Sequence, residues 1–112
     1  KVMEITITMA AATASVFGIG RPQAIGVTPT APVTVIAEDN GDPAGTAQTA
    51  LAWGTAPTVP LFFFRRVNLP ATIGAGRVIT FPRGLIVPVS SSLVIWNISA
   101  VGVSDIDIVI DE

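Results

Sequence analysis

Two aspartates near the carboxyl end have the spacing closest to an acid–base site. Asp105 and Asp107 stand two residues apart, so on a β-strand they share one face at a separation of roughly 7 Å. That separation falls within the range that inverting glycosidases use for their two carboxyl groups. A solvated strand face whose charges prevent further strand pairing explains the same spacing, and no His accompanies the pair. We therefore interpret the two aspartates as an exposed face.

Nucleophilic catalysis lacks its partners in this sequence. A serine nucleophile needs a base that accepts its proton, but the chain has no His, and Lys1 is its only lysine. The triplet Ser90-Ser91-Ser92 therefore predicts a turn. Because the chain has no Cys, thiol nucleophiles, disulfides and thiolate metal sites are excluded. We predict that the protein is not an enzyme, has no catalytic residues and binds no cofactor.

A short acidic run offers the only oxygen-rich loop. Glu38-Asp39-Asn40-Gly41-Asp42 concentrates the carboxylate and carbonyl oxygens that hard cations such as calcium prefer. The spacing of a complete calcium loop, with its distal Glu, is missing. Asn-Gly also favours the left-handed backbone of a tight turn. We interpret the run as an exposed turn and predict no metal site.

The chain is unusually poor in charge. Of its 112 residues, 12% are charged and 50% are hydrophobic, whereas an ordinary domain carries about 25% charged residues. So few charges cannot cover a monomer without large exposed apolar patches, and such patches mark association sites. We therefore expect obligate assembly with other copies of the chain.

Neither nucleic acid nor a membrane is an expected partner. The net charge is −2, and only Arg65-Arg66 forms a local basic pair, although nucleic-acid binding requires a basic patch. Two uncharged stretches, 43–64 and 84–104, are long enough to span a bilayer. Both are interrupted by prolines and polar residues, which is typical of strands and turns rather than of a spanning helix.

The positions of β-branched residues and of Gly and Pro predict an all-β fold. Val2–Met9 alternates between apolar and polar residues, as a half-buried strand does. Residues 93–98 are apolar on both faces except at Asn97, which predicts a central strand. Residues 10–20 fit neither a helix nor a strand clearly. Further strands are predicted at 33–37, 47–53, 58–67, 77–81, 85–88 and 105–111.

Seven or eight short strands separated by turns indicate a sandwich or barrel, and we favour a single-domain, jelly-roll-like β-sandwich. Four breakers within 21–32 oppose regular pairing. We therefore divide the domain into 1–32, an amino-terminal strand with an extended Pro-rich arm, and 33–112, the sandwich core. The arm is expected to contact neighbours, and the core is expected to fold without it.

Aromatic and arginine side chains are the candidate interface residues, because these types are enriched where proteins associate. The alternative is that the aromatics belong to the core, which we expect for Trp96 and for one side of the run Phe62-Phe63-Phe64. The candidates are Trp53, Phe62, Phe64, Arg65, Arg66, Arg77 and Arg83.

The second half of the chain, roughly residues 52–112, carries a resemblance. Its features are Trp53, the run 62–66 (FFFRR), the run 81–97 (FPRGLIVPVSSSLVIWN) and an acidic closing strand at 109–112 (VIDE). In these features it resembles small virion proteins of tailed bacteriophages, of the head decoration or cement type.

The resemblance implies a β-sandwich or jelly-roll subunit that forms a homotrimer on the outer surface of the capsid. Its partner would be the major capsid protein, bound at local threefold positions, where the subunit would reinforce capsomer junctions against internal DNA pressure. An alternative class is a carbohydrate-binding or adhesive module of a phage tail or cell surface. That alternative requires an exposed aromatic platform, which only Trp53 and the Phe run could supply.

Overall fold

The computed structural model describes residues 1–99 and 103–112. Within them the chain forms ten strands and no helix, which confirms the all-β prediction. The strands are β1 (Val2–Met9), β2 (Ser15–Gly20), β3 (Val27–Pro29), β4 (Pro32–Val33), β5 (Thr49–Ala50), β6 (Trp53–Thr55), β7 (Phe63–Leu69), β8 (Gly76–Leu85), β9 (Val94–Asn97) and β10 (Ser104–Ile110).

Six of these strands form two antiparallel sheets of three strands each. The first sheet has the order β10-β1-β8 and the second the order β7-β2-β9. The four shortest strands form two separate ladders, β3 with β6 and β4 with β5. The first two strands of the chain are therefore the central strands of the two larger sheets.

Strand β1 follows from its alternation. Ile5, Ile7 and Met9 are buried, while the intervening polar side chains are only half-buried. Ile5 lies opposite Ile79 of β8 on one side and Ile108 of β10 on the other. The predicted strand Val2–Met9 is confirmed, and its apolar face is the middle of the first sheet's buried surface.

Strand β2 shows why residues 10–20 were ambiguous in sequence. Phe17 and Ile19 are buried, and Gly18, between them, lies on the opposite face of the strand. A side chain at Gly18 would overlap the ring of Phe63. Glycine is therefore required here because a ring from a distant part of the chain packs directly on the backbone.

Both larger sheets contribute to one hydrophobic core. Partly buried side chains of β8 and β9 pack against it, among them Phe81 and Ile95. The fully covered members come from β1, β2 and β7: Val2, Ile5, Ile7, Met9, Phe17, Ile19, Val67 and Leu69.

The division predicted at residue 32 does not separate an arm from a core. Residues 2–9 and 15–20 supply six of the eight buried hydrophobic side chains and both central strands. Apart from the first residue and the connection 10–14, the part of 1–32 outside the two larger sheets is 21–32, and even there β3 and β4 pair with β6 and β5. The prolines of this segment keep it out of the larger sheets, because proline lacks the amide hydrogen that a ladder needs.

Two further strand predictions are wrong. Strand β8 runs through residues 82–84, which separate the predicted strands 77–81 and 85–88, because β1 pairs with β8 before and after them: Glu4 lies opposite Thr80 and Val2 opposite Leu85. The extra residues bulge, and Gly84 there has a φ of 69°, a conformation that suits glycine. Strand β9, predicted as central, pairs only with β2 and is an edge strand.

The predicted strand at 33–37 is limited to Val33, and no regular strand follows until Thr49. Glu112 holds part of this irregular segment. Its carboxylate accepts hydrogen bonds from the backbone N–H groups of Thr46 at 2.6 Å and Ala47 at 2.7 Å. The Thr46 hydroxyl donates a third, at 3.2 Å. Thr46 and Ala47 are 66 and 65 residues from Glu112 in sequence, so the contact fixes the segment against the end of β10.

These hydrogen bonds, led by the one from the Thr46 backbone, lower the pKa of Glu112 below its ordinary value of 4.5. A carboxyl with a lowered pKa contributes stability above that ordinary value and loses it as the pH falls through the lowered one. We expect the Thr46 and Ala47 amide resonances in two-dimensional NMR to titrate with a midpoint below 4.5. In Glu112→Gln this titration should be absent, and a midpoint above the ordinary value would contradict the contact.

Candidate association surface

The most exposed aromatic side chain of the candidate set lies just before β7. Phe62 is 84% exposed and Leu61 beside it 67%. Together with Phe64, Arg21 and Gln23 they line an open groove of about 330 Å³. We call this feature, defined by Arg21, Gln23, Leu61, Phe62 and Phe64, the Phe62 groove.

The groove forms where the pairing of β2 with β7 shifts. Ile19 lies opposite Arg65, whereas the next residue, Gly20, lies opposite Phe63, so Phe64 is an extra residue in β7. Such a bulge bends the strand and redirects its side chains. Phe63 packs on Gly18, as described above, while Phe64 remains 39% exposed. The Phe run therefore contributes nothing to the buried core, contrary to the expectation that one side of it would.

Arg21 forms the other wall and is held in place by a second loop. Its guanidinium Nη2 donates to the carbonyl oxygen of Ile86 at 2.6 Å, which connects the end of β2 to the residue after β8. Sequence reasoning missed Arg21 and Gln23, since they stand some forty positions from the Phe run. Leu61 could have been identified from the sequence, because it directly precedes the Phe run.

The two tryptophans do not join this groove. Trp53 of β6 is half-buried, and its ring covers Gly26 so closely that a side chain there would overlap it. Trp96 of β9 lies opposite Gly18, hence on the face of the second sheet that points away from the core. The expectation that Trp96 belongs to the core is therefore wrong, and it is half-buried on an outer face.

The four candidate arginines lie on two strands that contact each other. Arg65 and Arg66 are exposed on β7, and Arg77 and Arg83 are exposed on β8. Strands β7 and β8 touch although they belong to different sheets. Both are edge strands of their sheets, so the four arginines lie along two neighbouring edge strands, which we call the basic side; as consecutive residues, Arg65 and Arg66 point to opposite faces of β7.

The acidic residues considered for acid–base catalysis or metal binding are exposed and lie in two different places, on β10 and in the loop at 38–42. Asp105 and Asp107 lie on β10 opposite Thr8 and Thr6. In the loop at 38–42, the N–H of Asp42 donates to the Asp39 carbonyl oxygen at 3.1 Å and the N–H of Gly41 donates to Asp39 Oδ1 at 3.2 Å, so the loop closes on Asp39. Across residues 1–99 and 103–112, no group of three or more His, Cys, Asp or Glu is arranged to hold a metal ion.

Exposed apolar side chains extend well beyond the groove. Ile36 is 81% exposed, Leu51 83% and Val89 97%. Isolated exposed apolar residues are normal, but a contiguous cluster marks a binding surface. Leu61, Phe62 and Phe64 line one groove together, which makes the Phe62 groove the best candidate for association.

No protein-family model, curated protein or solved structure matches this chain. Within the described residues, no helix has the length and apolar character needed to cross a membrane; positions 100–102 of the uncharged stretch 84–104 lie outside them. The chemistry of the protein's surfaces is therefore the basis for assigning its function.

Proposed function

We propose that the protein is a structural virion subunit, a capsid decoration or cement protein that associates with copies of itself and binds the major capsid protein. The observation that carries the proposal is the Phe62 groove, with an aromatic ring 84% exposed. Exposing such a ring to water is unfavourable, and its burial by a partner is a strong driving force for association. An exposed arginine at the same groove adds a second residue type enriched at interfaces.

In this proposal the two larger sheets face each other as a jelly-roll-like β-sandwich, and three copies assemble on the outer surface of the capsid. Each copy contributes a modest contact. Linked copies bind together because the later contacts are effectively intramolecular. A subunit that binds only the assembled shell stabilises that shell by mass action, which requires no catalytic residue.

The test is whether the chain is present in particles and strengthens them. Mass spectrometry of gradient-purified particles of the phage that encodes the chain should detect it beside the major capsid protein. Particles made without it should release DNA at a lower temperature, and adding the purified full chain should restore their resistance. Purified particles that lack the chain, or that resist heat equally without it, would overturn the proposal.

Replacing Phe62 by Ser should weaken binding to such particles without unfolding the subunit. Truncation of a central aromatic at an interface costs about 2 kcal/mol or more, or roughly thirtyfold in affinity. Since Phe62 is 84% exposed, the free energy of unfolding should change by less than about 0.5 kcal/mol. Co-sedimentation with particles measures the first effect and thermal denaturation the second.

Leu51→Ser is the matched control, because Leu51 is 83% exposed but lies outside the Phe62 groove. It should leave the affinity for particles unchanged. Equal weakening by both substitutions would show that general surface hydrophobicity, and not the groove, drives the binding.

A second candidate function, carbohydrate binding or adhesion, is favoured by one feature of the same groove. Two Phe rings stand beside the polar side chains of Arg21 and Gln23, and aromatic faces with nearby hydrogen-bond donors suit sugar rings. A glycan array probed with the full chain separates the two functions. Specific glycan binding that Phe62→Ser abolishes, together with absence from particles, would favour the adhesive module.

A further inference from the structure

Charge is segregated among the strands of this protein. Strands β7 and β8 carry four arginines and no acidic residue, whereas β10 carries two aspartates and no basic residue. The chain has six basic residues in total, so most of its positive charge lies on the basic side. We call Asp105 and Asp107 on β10 the acidic edge.

The acidic edge and the basic side lie at opposite ends of the first sheet. In the order β10-β1-β8, strand β1 separates them, and two strand spacings amount to roughly 10 Å. Strand β7 extends the basic side further, since it contacts β8 from the other sheet. The two charged regions therefore cannot pair within one copy, but each is available to a neighbouring copy.

The strand that carries the acidic edge, β10, also exposes apolar side chains. Ile106 and Ile108 lie opposite Ile7 and Ile5, which are fully buried, so they belong to the core-facing side of the sheet. They are nevertheless 37% and 41% exposed, because β10 is the last strand of its sheet and nothing in the described chain pairs with its outer side. A chain laid against β10 would cover these isoleucines as well as the aspartates.

We propose that copies of this protein associate head to tail, with the acidic edge of one copy docked on the basic side of the next. Opposite potentials on the two surfaces favour this orientation and disfavour contacts between like surfaces. Because the two surfaces differ, the contact is heterologous and generates a ring where the rotation closes. The inference rests on the proposed self-association and names the surfaces that would form it.

The same aspartates fit an opposing explanation, in which they protect an open edge strand from pairing. The two explanations predict opposite results. If Asp105 and Asp107 attract the basic side, the double substitution Asp105→Asn/Asp107→Asn weakens self-association. If they protect the edge, the same substitution strengthens it, and the proposal is overturned.

Charge reversal with complementation provides the decisive experiment. Sedimentation equilibrium of the full chain measures self-association for D105K/D107K and for R65E/R66E. Each variant alone should associate at least ~10-fold more weakly than wild type, because D105K/D107K places like charges opposite each other and R65E/R66E leaves the basic side with no net charge. An equimolar mixture of the two should recover association, since each surface of one variant then meets an oppositely charged or neutralised surface of the other. Raising the salt concentration should weaken wild-type association by screening.

Glu38→Lys/Asp42→Lys is the matched control. It makes the same change in net charge as D105K/D107K, at an exposed loop outside β7, β8 and β10, and should leave association unchanged. Circular dichroism confirms that each variant is folded. A control that weakens association equally, a mixture that fails to recover it, or a wild type that remains monomeric would overturn the proposal. Particle binding is measured separately, so head-to-tail docking and the proposed function can fail independently.

Discussion

A chain shortened to residues 33–112 is expected not to fold. The deletion removes β1 and β2, the central strands of both larger sheets, and six of the eight buried hydrophobic side chains. The remaining strands β8, β10, β7 and β9 would be edges without a partner. Edge strands with no central strand between them cannot complete their backbone hydrogen bonds or bury their apolar faces.

Far-ultraviolet circular dichroism and thermal denaturation measure this outcome, which should be loss of the cooperative transition. A matched control replaces the exposed loop Glu38–Asp42 with two glycines, because that loop lies outside every strand. The control should retain the transition with a small shift. A folded, cooperative 33–112 fragment would contradict the assignment of β1 and β2 as central strands.

Replacing Ile7 by Ala is expected to lower the free energy of unfolding by about 2–5 kcal/mol. Ile7 has no exposed surface and lies on the central strand between Ile106 and Arg77 of the adjacent strands. The substitution removes buried apolar contacts and leaves a cavity that the paired strands on both sides cannot fill. A domain is stable by only about 5–15 kcal/mol, so this one change removes a large share of its stability.

Guanidinium denaturation gives the size of the effect, and the melting temperature should fall by about 10 °C or more. Val78→Ala is the control, since Val78 is 56% exposed on β8 opposite Thr6. It should cost less than about 1 kcal/mol. Similar losses at the two positions would contradict the burial of the β1 face that carries Ile7.

Strands β1 and β10 were predictable because each has one apolar and one polar face. On β10 the isoleucines alternate with aspartates, and the register places Ile106 opposite Ile7, as a shared core face requires. A period of two over six or more residues fixes which side chains point inward. That signal is local, so the sequence is sufficient for it.

Strand β2 and the bulge in β8 were not predictable for the opposite reason. The glycine at position 18 is explained by the ring of Phe63, which is 45 positions away. The three residues 82–84 have the composition of a turn. Strand β8 stays continuous only because the residues before and after them both pair with β1. In both places long-range packing overrides the local preference.

For the candidate surface, the sequence identified Phe62 and Phe64 but not the residues that complete the groove. Arg21 enters it from the end of β2 and is held by the carbonyl of Ile86, 65 residues away. The position of Phe64 depends on the shifted pairing beside Gly20. Residue type indicates what a side chain can contact, whereas pairing decides whether it faces solvent.

By itself, the sequence determined the shortage of charge, the lack of His and Cys, and the inward and outward faces of the clearest strands. Only the tertiary structure decided which strands are neighbours, and therefore that β10 and β7 are edges with opposite charge. The physical reason is that alternation along a strand sets the direction of side chains, while strand order depends on pairing between distant segments. The low charge content is consequently not spread evenly: it leaves an apolar groove, an acidic edge and a basic side.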